Sequence, residues 1–242
     1  MIRFRTLGAV DLSRTGEHSF AEVLAHTKRL ALLAYLAAAL PRGFHRRDKL
    51  MALFWPELDA AHARGALRQA LHTLRGGLGA DVIVTRGSDE VALDPARCSS
   101  DAVAFEEAVR ERDFDAAALA LYRGDFLDGF YVPQASGFER WLDHRRGELG
   151  HAYERALEWL AERHAAHDRF GEAVECWRRL AEREPLNARI AVRLMEALEA
   201  DGDPAGALQH ARFHSALLAA ELGAPPDPAV LRVAARLRGA GP

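Results

Sequence analysis

Cysteine is nearly absent from this chain: Cys98 and Cys176 are the only two, far apart and without metal-ligand spacing. That excludes a disulfide framework and a thiolate zinc site, and it suits a reducing cytoplasm. Long apolar runs are missing too. The longest, Leu30 to Leu40, falls well short of the roughly 20 residues that span a bilayer. The N-terminus opens on Ile2-Arg3-Phe4-Arg5 with no apolar stretch of a secretory leader, so neither a leader nor a membrane partner is expected. There is no Gly-x-Ser-x-Gly elbow, phosphate-binding glycine loop or His-Glu-x-x-His pair. An enzyme is therefore the least expected class, and no catalytic residue, cofactor or metal is expected. His164 and His167 stand three apart, but no carboxylate or cysteine pattern makes them a metal site.

What is present is an ordinary globular composition, 49% hydrophobic and 28% charged in 242 residues, enough for two modest domains. The net charge of -3 conceals an asymmetry. Residues 1–97 carry 14 Lys and Arg against 10 Asp and Glu, and residues 98–242 carry 18 against 25. The basic excess in the first part suggests an anionic partner there.

The pattern along residues 2–24 is of short strands with a turn at Arg14-Thr15-Gly16. Lys28 to Leu40 is apolar and helical, with Thr27 as expected N-cap and Pro41 and Gly43 as the stop. A second helix is expected from His45 to Trp55, ending at Pro56. A third starts after the N-cap Asp59 and runs from Ala60 to Arg75, broken by Gly76-Gly77. Ala63, Ala66, Leu67, Ala70, Leu71, Leu74 and Leu78 share one face of it. Arg64, Arg68, His72 and Arg75 share another, and no acidic residue occurs between Asp59 and Asp81. Two β-rich runs, Asp81 to Arg86 and Glu90 to Asp94, flank Gly87-Ser88-Asp89 as a hairpin.

Beyond Ser99 every segment has a helical pattern, with helices expected near 101–111, 114–122, 136–167, 170–183, 188–201, 204–221 and 228–238. Leu160 and Leu194, Ala173 and Ala207, and Leu180 and His214 lie 34 positions apart, the period of tetratricopeptide repeats. Asp113-Phe114-Asp115-Ala116-Ala117 is an irregular third copy of the repeat turn. Trp141, Trp159 and Trp177 stand at core-like helical spacing. Asp125 and Asp128 lie in a Gly-rich connection, where turn and capping roles explain them better than acid–base chemistry.

Strands, helix, helix, basic helix and hairpin, in that order, describe a winged helix-turn-helix. A helix fits the major groove of double-stranded DNA, guanidinium groups reach guanine edges or phosphates, and a hairpin reaches the neighbouring minor groove. Arg64, Arg68 and His72 are the candidates for base contact. Arg75 and the wing's Arg86 are candidates for phosphate contact, with Arg46, Arg47 and Lys49 as backbone clamps. A row of arginines is commonly only a solvated face; its place between a helix pair and a Gly-turn hairpin is what favours the DNA reading.

The first part resembles the DNA-binding half of the streptomyces antibiotic regulatory protein family. The resemblance rests on Leu7-Gly8 with Val10, Lys28-Arg29-Leu30 through Leu36, Leu53-Phe54-Trp55-Pro56, and Ala66-Leu67-Arg68-Gln69-Ala70-Leu71 with Leu74-Arg75. The second part resembles the family's bacterial transcriptional activator domain through Asp101 to Phe105, Leu121-Tyr122-Arg123-Gly124-Asp125-Phe126-Leu127, and Trp141-Leu142 with Arg145 and Leu149. The resemblance implies an activator that binds direct repeats near promoters and engages RNA polymerase. It puts Arg64, Arg68, His72 and Arg75 on the recognition helix, Arg86 on the wing, and Trp55 to Asp59 where a loop meets polymerase. Gly76-Gly77 and the acidic Asp89-Glu90 depart from the more basic family pattern.

The expected architecture is mainly α: a winged helix with a small antiparallel sheet and wing hairpin over residues 1–97, then an all-α tetratricopeptide-like domain over 98–242. A homodimer on DNA fits this reading. Two alternatives stay open. One is a protein-interaction scaffold whose winged helix no longer binds DNA. The other is a regulator gated by a small-molecule effector in a pocket of the helical domain.

Overall fold

In the computed structural model, residues 1–14, 20–112 and 116–239 are described. Thr15-Gly16 of the first expected turn and Asp113-Phe114-Asp115 of the irregular repeat turn lie outside them. In chain order the elements are β1 (Ile2–Arg5), β2 (Asp11–Arg14), α1 (Ala21–Leu24), α2 (Thr27–Ala38), β3 (His45–Arg46), α3 (Arg47–Phe54), α4 (Ala60–Leu78), β4 (Ile83–Arg86), β5 (Glu90–Leu93) and β6 (Cys98–Ser100). Then follow α5 (Asp101–Glu111), α6 (Ala116–Leu121), α7 (Ser136–Ala165), α8 (Phe170–Arg183), α9 (Ala188–Ala200), α10 (Pro204–Leu222) and α11 (Pro228–Gly239). The fold is mainly helical with two small N-terminal sheets. The chain forms two compact units, Met1–Ala152 and Tyr153–Pro242. No helix among the described residues is long and apolar enough to cross a membrane.

The first unit contains the expected winged helix. Its first sheet has strand order β2-β1-β6, with β2 antiparallel and β6 parallel to β1. Its second, β3-β5-β4, is antiparallel throughout and forms the wing. Apolar on every side, α2 is buried from Leu30 to Leu36, as a helix at the centre of a core must be. It starts at Thr27 itself, after a His26 cap with no side-chain bond, so Thr27 is not the N-cap. The expected second helix is shorter at its start. His45 and Arg46 pair with Val91 and Glu90 as strand β3, because the wing offers them ladder partners before the helix begins.

The pair Gly76-Gly77 does not break α4, which continues to Leu78 and ends at Gly79. Each glycine costs a helix about 1 kcal/mol relative to alanine. Burial of Leu71, Leu74 and Leu78 on the same helix outweighs that cost. Packing also requires one of them: a Cβ on Gly77 would meet Val23 Cγ2 of α1 at 2.7 Å.

Beyond β1 the chain is held by residues far away in sequence. Asp101, first in α5, accepts the Thr6 N–H (2.8 Å) and hydroxyl (2.7 Å) on Oδ1, and the Leu7 N–H (3.1 Å) on Oδ2. The Gly8 N–H donates to the Asp125 carbonyl at 3.0 Å, and the Leu127 N–H to the Thr6 carbonyl at 2.7 Å. Gly8 has φ +89°, and a Cβ on Gly124 would lie 3.0 Å from its Cα. Only glycines permit so close a crossing of two backbones. Residue 98, where the expected second domain begins, is thus the start of a strand inside the first unit.

In the second unit, α8 packs on α9 and α9 on α10 and α11. Asn187 caps α9, and Asp203 caps α10 through the Gly206 N–H at 2.8 Å. His214, the repeat counterpart of Leu180, is fully buried, with its Nδ1 3.0 Å from the Pro185 carbonyl oxygen. Trp177 is buried there.

Replacing Asp101 by Ala leaves the Thr6 and Leu7 N–H groups buried without an acceptor. Bonds to a charged acceptor are the stronger kind, and orphaned donors add their desolvation cost. The expected loss is about 3 kcal/mol in urea denaturation of the full chain, with Asp101→Asn intermediate.

Candidate nucleic-acid interface

Helix α4 begins with an aspartate at its N-cap because the first backbone N–H groups need acceptors. Asp59 takes those of Ala61 and His62, each at 3.0 Å. These bonds, with that from the His62 ring, hold its carboxyl below the ordinary range. From this cap onward the apolar residues face the core and the arginines do not. Ala63, Leu67, Ala70, Leu71, Leu74 and Leu78 are buried, while Arg64, Arg68 and His72 are exposed. Arg64 and Arg68 make no ion pair or hydrogen bond among the described residues.

Arg64 and Arg68 line a cavity of about 390 Å³ together with Arg47 and Asp48 of α3 and Ser88 and Asp89 of the wing turn. The Arg47 N–H donates to the Asp89 carbonyl at 2.8 Å, which ties the start of α3 to the wing tip. The Arg47 guanidinium is half-buried, and its Nε has no partner among the described residues. Burial, then the positive charges of Arg75 and Arg68, pull its pKa below the ordinary value, while Asp89 acts in the opposite sense. Three guanidiniums held this close, one of them desolvated, form a focus of positive potential that an anion would relieve.

The other expected residues are placed differently. Arg75 is half-buried and its Nε donates to the Ile83 carbonyl at 3.0 Å, so it also fastens α4 to the first wing strand. Arg86 is paired with Glu90, and its Cζ sits 4.5 Å from the Phe44 ring centroid. Arg46 lies 3.5 Å from Asp48, both largely exposed. Lys49 is exposed, with its Nζ 5.9 Å from the Tyr35 ring centroid. The structure therefore groups Arg47, Arg64 and Arg68, and sets Arg46, Lys49, His72, Arg75 and Arg86 around that group.

Phe44 and Ser88 were not legible as site residues. Phe44 is an exposed aromatic just ahead of β3, and its role depends on a wing arginine 42 positions later. Ser88 is visible in sequence only as a turn residue.

Three comparisons bear on this arrangement. The family description "Bacterial transcriptional activator domain" matches residues 90–238. "Regulatory protein AfsR" of Streptomyces coelicolor is 31% identical over 254 aligned residues, covering all of this chain and 24% of that protein. The chain thus spans about a quarter of that relative's length. A solved structure, "Mycobacterium tuberculosis EmbR in complex with low affinity phosphopeptide", superposes with a TM-score of 0.64 at 21% identity, over 100% of this chain and 66% of that one. That likeness supports the fold.

A buried histidine at the base of the interface gives a pH-dependent expectation. His45 is 5% exposed and packs 5.2 Å from Tyr35, centroid to centroid. Burial, then Lys49, lowers its pKa from 6.5. The unfolded chain therefore takes up a proton at a higher pH than the folded one, and stability is lost as pH falls below 6.5. Between about pH 7.5 and about pH 5 the urea midpoint of the wild type is expected to fall more than that of His45→Phe. Equal slopes would remove His45 from the account.

Proposed function

The chain belongs to the bacterial transcriptional activator domain family, among the streptomyces antibiotic regulatory proteins, and we propose that it is a sequence-specific, DNA-binding transcription regulator of the cytoplasm. In this reading it activates from direct repeats near promoters and engages RNA polymerase. The observation that carries it is the meeting, beside the wing turn, of Arg47 of α3 with Arg64 and Arg68 of α4, a helix with no acidic residue between its cap and Asp81.

Helix α4 enters the major groove, where Arg64 and Arg68 read base edges and His72 extends the row. Arg47, with Arg46 and Lys49, clamps phosphates. Arg75 and Arg86 add phosphate contacts through the guanidinium nitrogens that Ile83 and Glu90 leave available. The turn between α3 and α4, where Leu58 is 39% exposed, is the surface offered to polymerase. Residues 1–97 act as the DNA-binding module and 98–242 as the activator domain, which supports pairing of two copies on DNA. No catalytic step is assigned.

Selection of genomic DNA with purified protein at two salt concentrations tests the reading. Enrichment of a direct-repeat motif, lost in Arg68→Ala, is the expected result. No enrichment at either concentration would overturn it in favour of a protein-interaction scaffold. On the selected site, Arg64→Ala and Arg68→Ala should each cost roughly 1–3 kcal/mol of binding and relax specificity at one position. Arg47→Ala should weaken binding to all sequences alike and reduce the salt slope by about one. An unchanged slope would remove Arg47 from the phosphate contacts.

A further inference from the structure

A second cluster of arginines lies away from the recognition helix, at the sheet β2-β1-β6. The pairing registers put Arg3 opposite Ser13 on one side and Ser99 on the other. These three residues, with Arg5, Ser100 and Arg123, line a cavity of about 420 Å³. Ala104 and Leu121 give it apolar walls. That volume lies within the range of small-ligand sites, which combine apolar walls with a few convergent polar groups.

Two of the donors there are not used up internally, whereas the Ser99 hydroxyl donates to the Ile2 carbonyl at 3.3 Å. Arg3 is exposed and makes no ion pair among the described residues. Arg123 donates only a long 3.4 Å bond to the Ala120 carbonyl. Arg5 is paired with Asp11 at the far edge. Ser100 is 7% exposed, and its buried hydroxyl has no partner among the described residues. In register Ser100 pairs with Phe4, on the buried face of the sheet opposite Arg3 and Ser99, so it belongs to the core and not to the Arg3 side of the cavity. Asp101 is the one carboxylate in the wall, and Thr6 and Leu7 already engage both of its oxygens.

From this arrangement we propose that the cavity binds a phosphate monoester of sugar or nucleoside size. The Arg3 and Arg123 guanidiniums and the Ser13 hydroxyl together offer more donors than a carboxylate has oxygens to accept, and a terminal phosphate supplies three acceptor oxygens. The apolar wall of Ala104 and Leu121 takes the organic part, which free phosphate lacks. The site adjoins the Asp101 clasp, so an occupant would brace the junction of β1, β6 and α5.

The test uses the full chain, with adenosine monophosphate, ribose 5-phosphate, adenosine and inorganic phosphate as probes. Thermal unfolding and calorimetric titration are the readouts. At about 1 mM, the two esters should raise the unfolding midpoint and the other two probes should not. Arg3→Ala and Arg123→Ala, both surface changes, should each weaken ester binding by about ten-fold or more. Ser100→Ala, on the other face of the sheet, should fold and bind the esters like the wild type. The double variant Arg64→Ala, Arg68→Ala should bind the esters normally, which separates this site from the DNA face. The proposal is overturned by no rise with either ester, or by an equal rise with inorganic phosphate or adenosine. It is equally overturned by ester binding that survives Arg3→Ala and Arg123→Ala, or that disappears in the recognition-helix variant.

Discussion

The first unit depends on one carboxylate. Strand β1 leaves its sheet after Arg5, and Thr6 and Leu7, both almost wholly buried, must find acceptors for their N–H groups or lose the cost of desolvating them. Asp101 supplies both acceptors from the first turn of α5. The Thr6 carbonyl is then met by Leu127, and the Gly8 N–H by Asp125. Three stretches distant in sequence become one body at this point: the N-terminal strands, the start of α5 and the segment 124–127.

From that junction an aromatic chain leads to α3. Phe126 stands 6.0 Å from Trp141, Trp141 4.7 Å from Tyr35, and Tyr35 6.0 Å from Phe54. Phe138 joins from α7, 5.1 Å from Phe54. Such contacts are directional and close-packed, so they fix α2 and α3 against α7. Behind them Arg145, 2% exposed, is held by Glu106 and Glu148, and Arg42 reaches Glu106 and Glu107. A buried arginine needs such partners, because losing one leaves an uncompensated charge in the core. With α3 fixed, the spacing of Arg47 from Arg64 and Arg68 is fixed as well.

Local signals were readable in the sequence and long-range ones were not. Helices α5 and α8 begin and end where periodicity put them, and Asp59 caps α4, because caps and apolar stripes are decided within a turn or two. Strand β3 escaped because its partner, β5, lies 45 residues on. The helix was expected to stop at Gly76-Gly77 because propensity is local, whereas the contact of Gly77 with Val23 is not. The same holds for the site. The basic stripe was legible from spacing alone. That Arg75 also fastens the wing, and that Arg86 is held between Glu90 and Phe44, depends on β4 and β5 folding back.

Charge economy at the interface bears on how such a protein would find its sites. Asp48, Asp89 and Glu90 stand among the cations, and Arg46 and Arg86 each already face one of them. Phosphate attraction grows with the number of cations that displace counterions, so a set neutralised in part binds DNA weakly without sequence. In the proposed reading discrimination then rests on Arg64 and Arg68 at base edges, and two bidentate contacts amount to only about 2–6 kcal/mol. That is marginal for one copy against a genome of competing sites. Two copies on adjacent repeats roughly double the sequence-dependent part, and each holds the other at high effective concentration. In the proposed reading, a direct-repeat operator is therefore what a recognition surface of this modest charge requires.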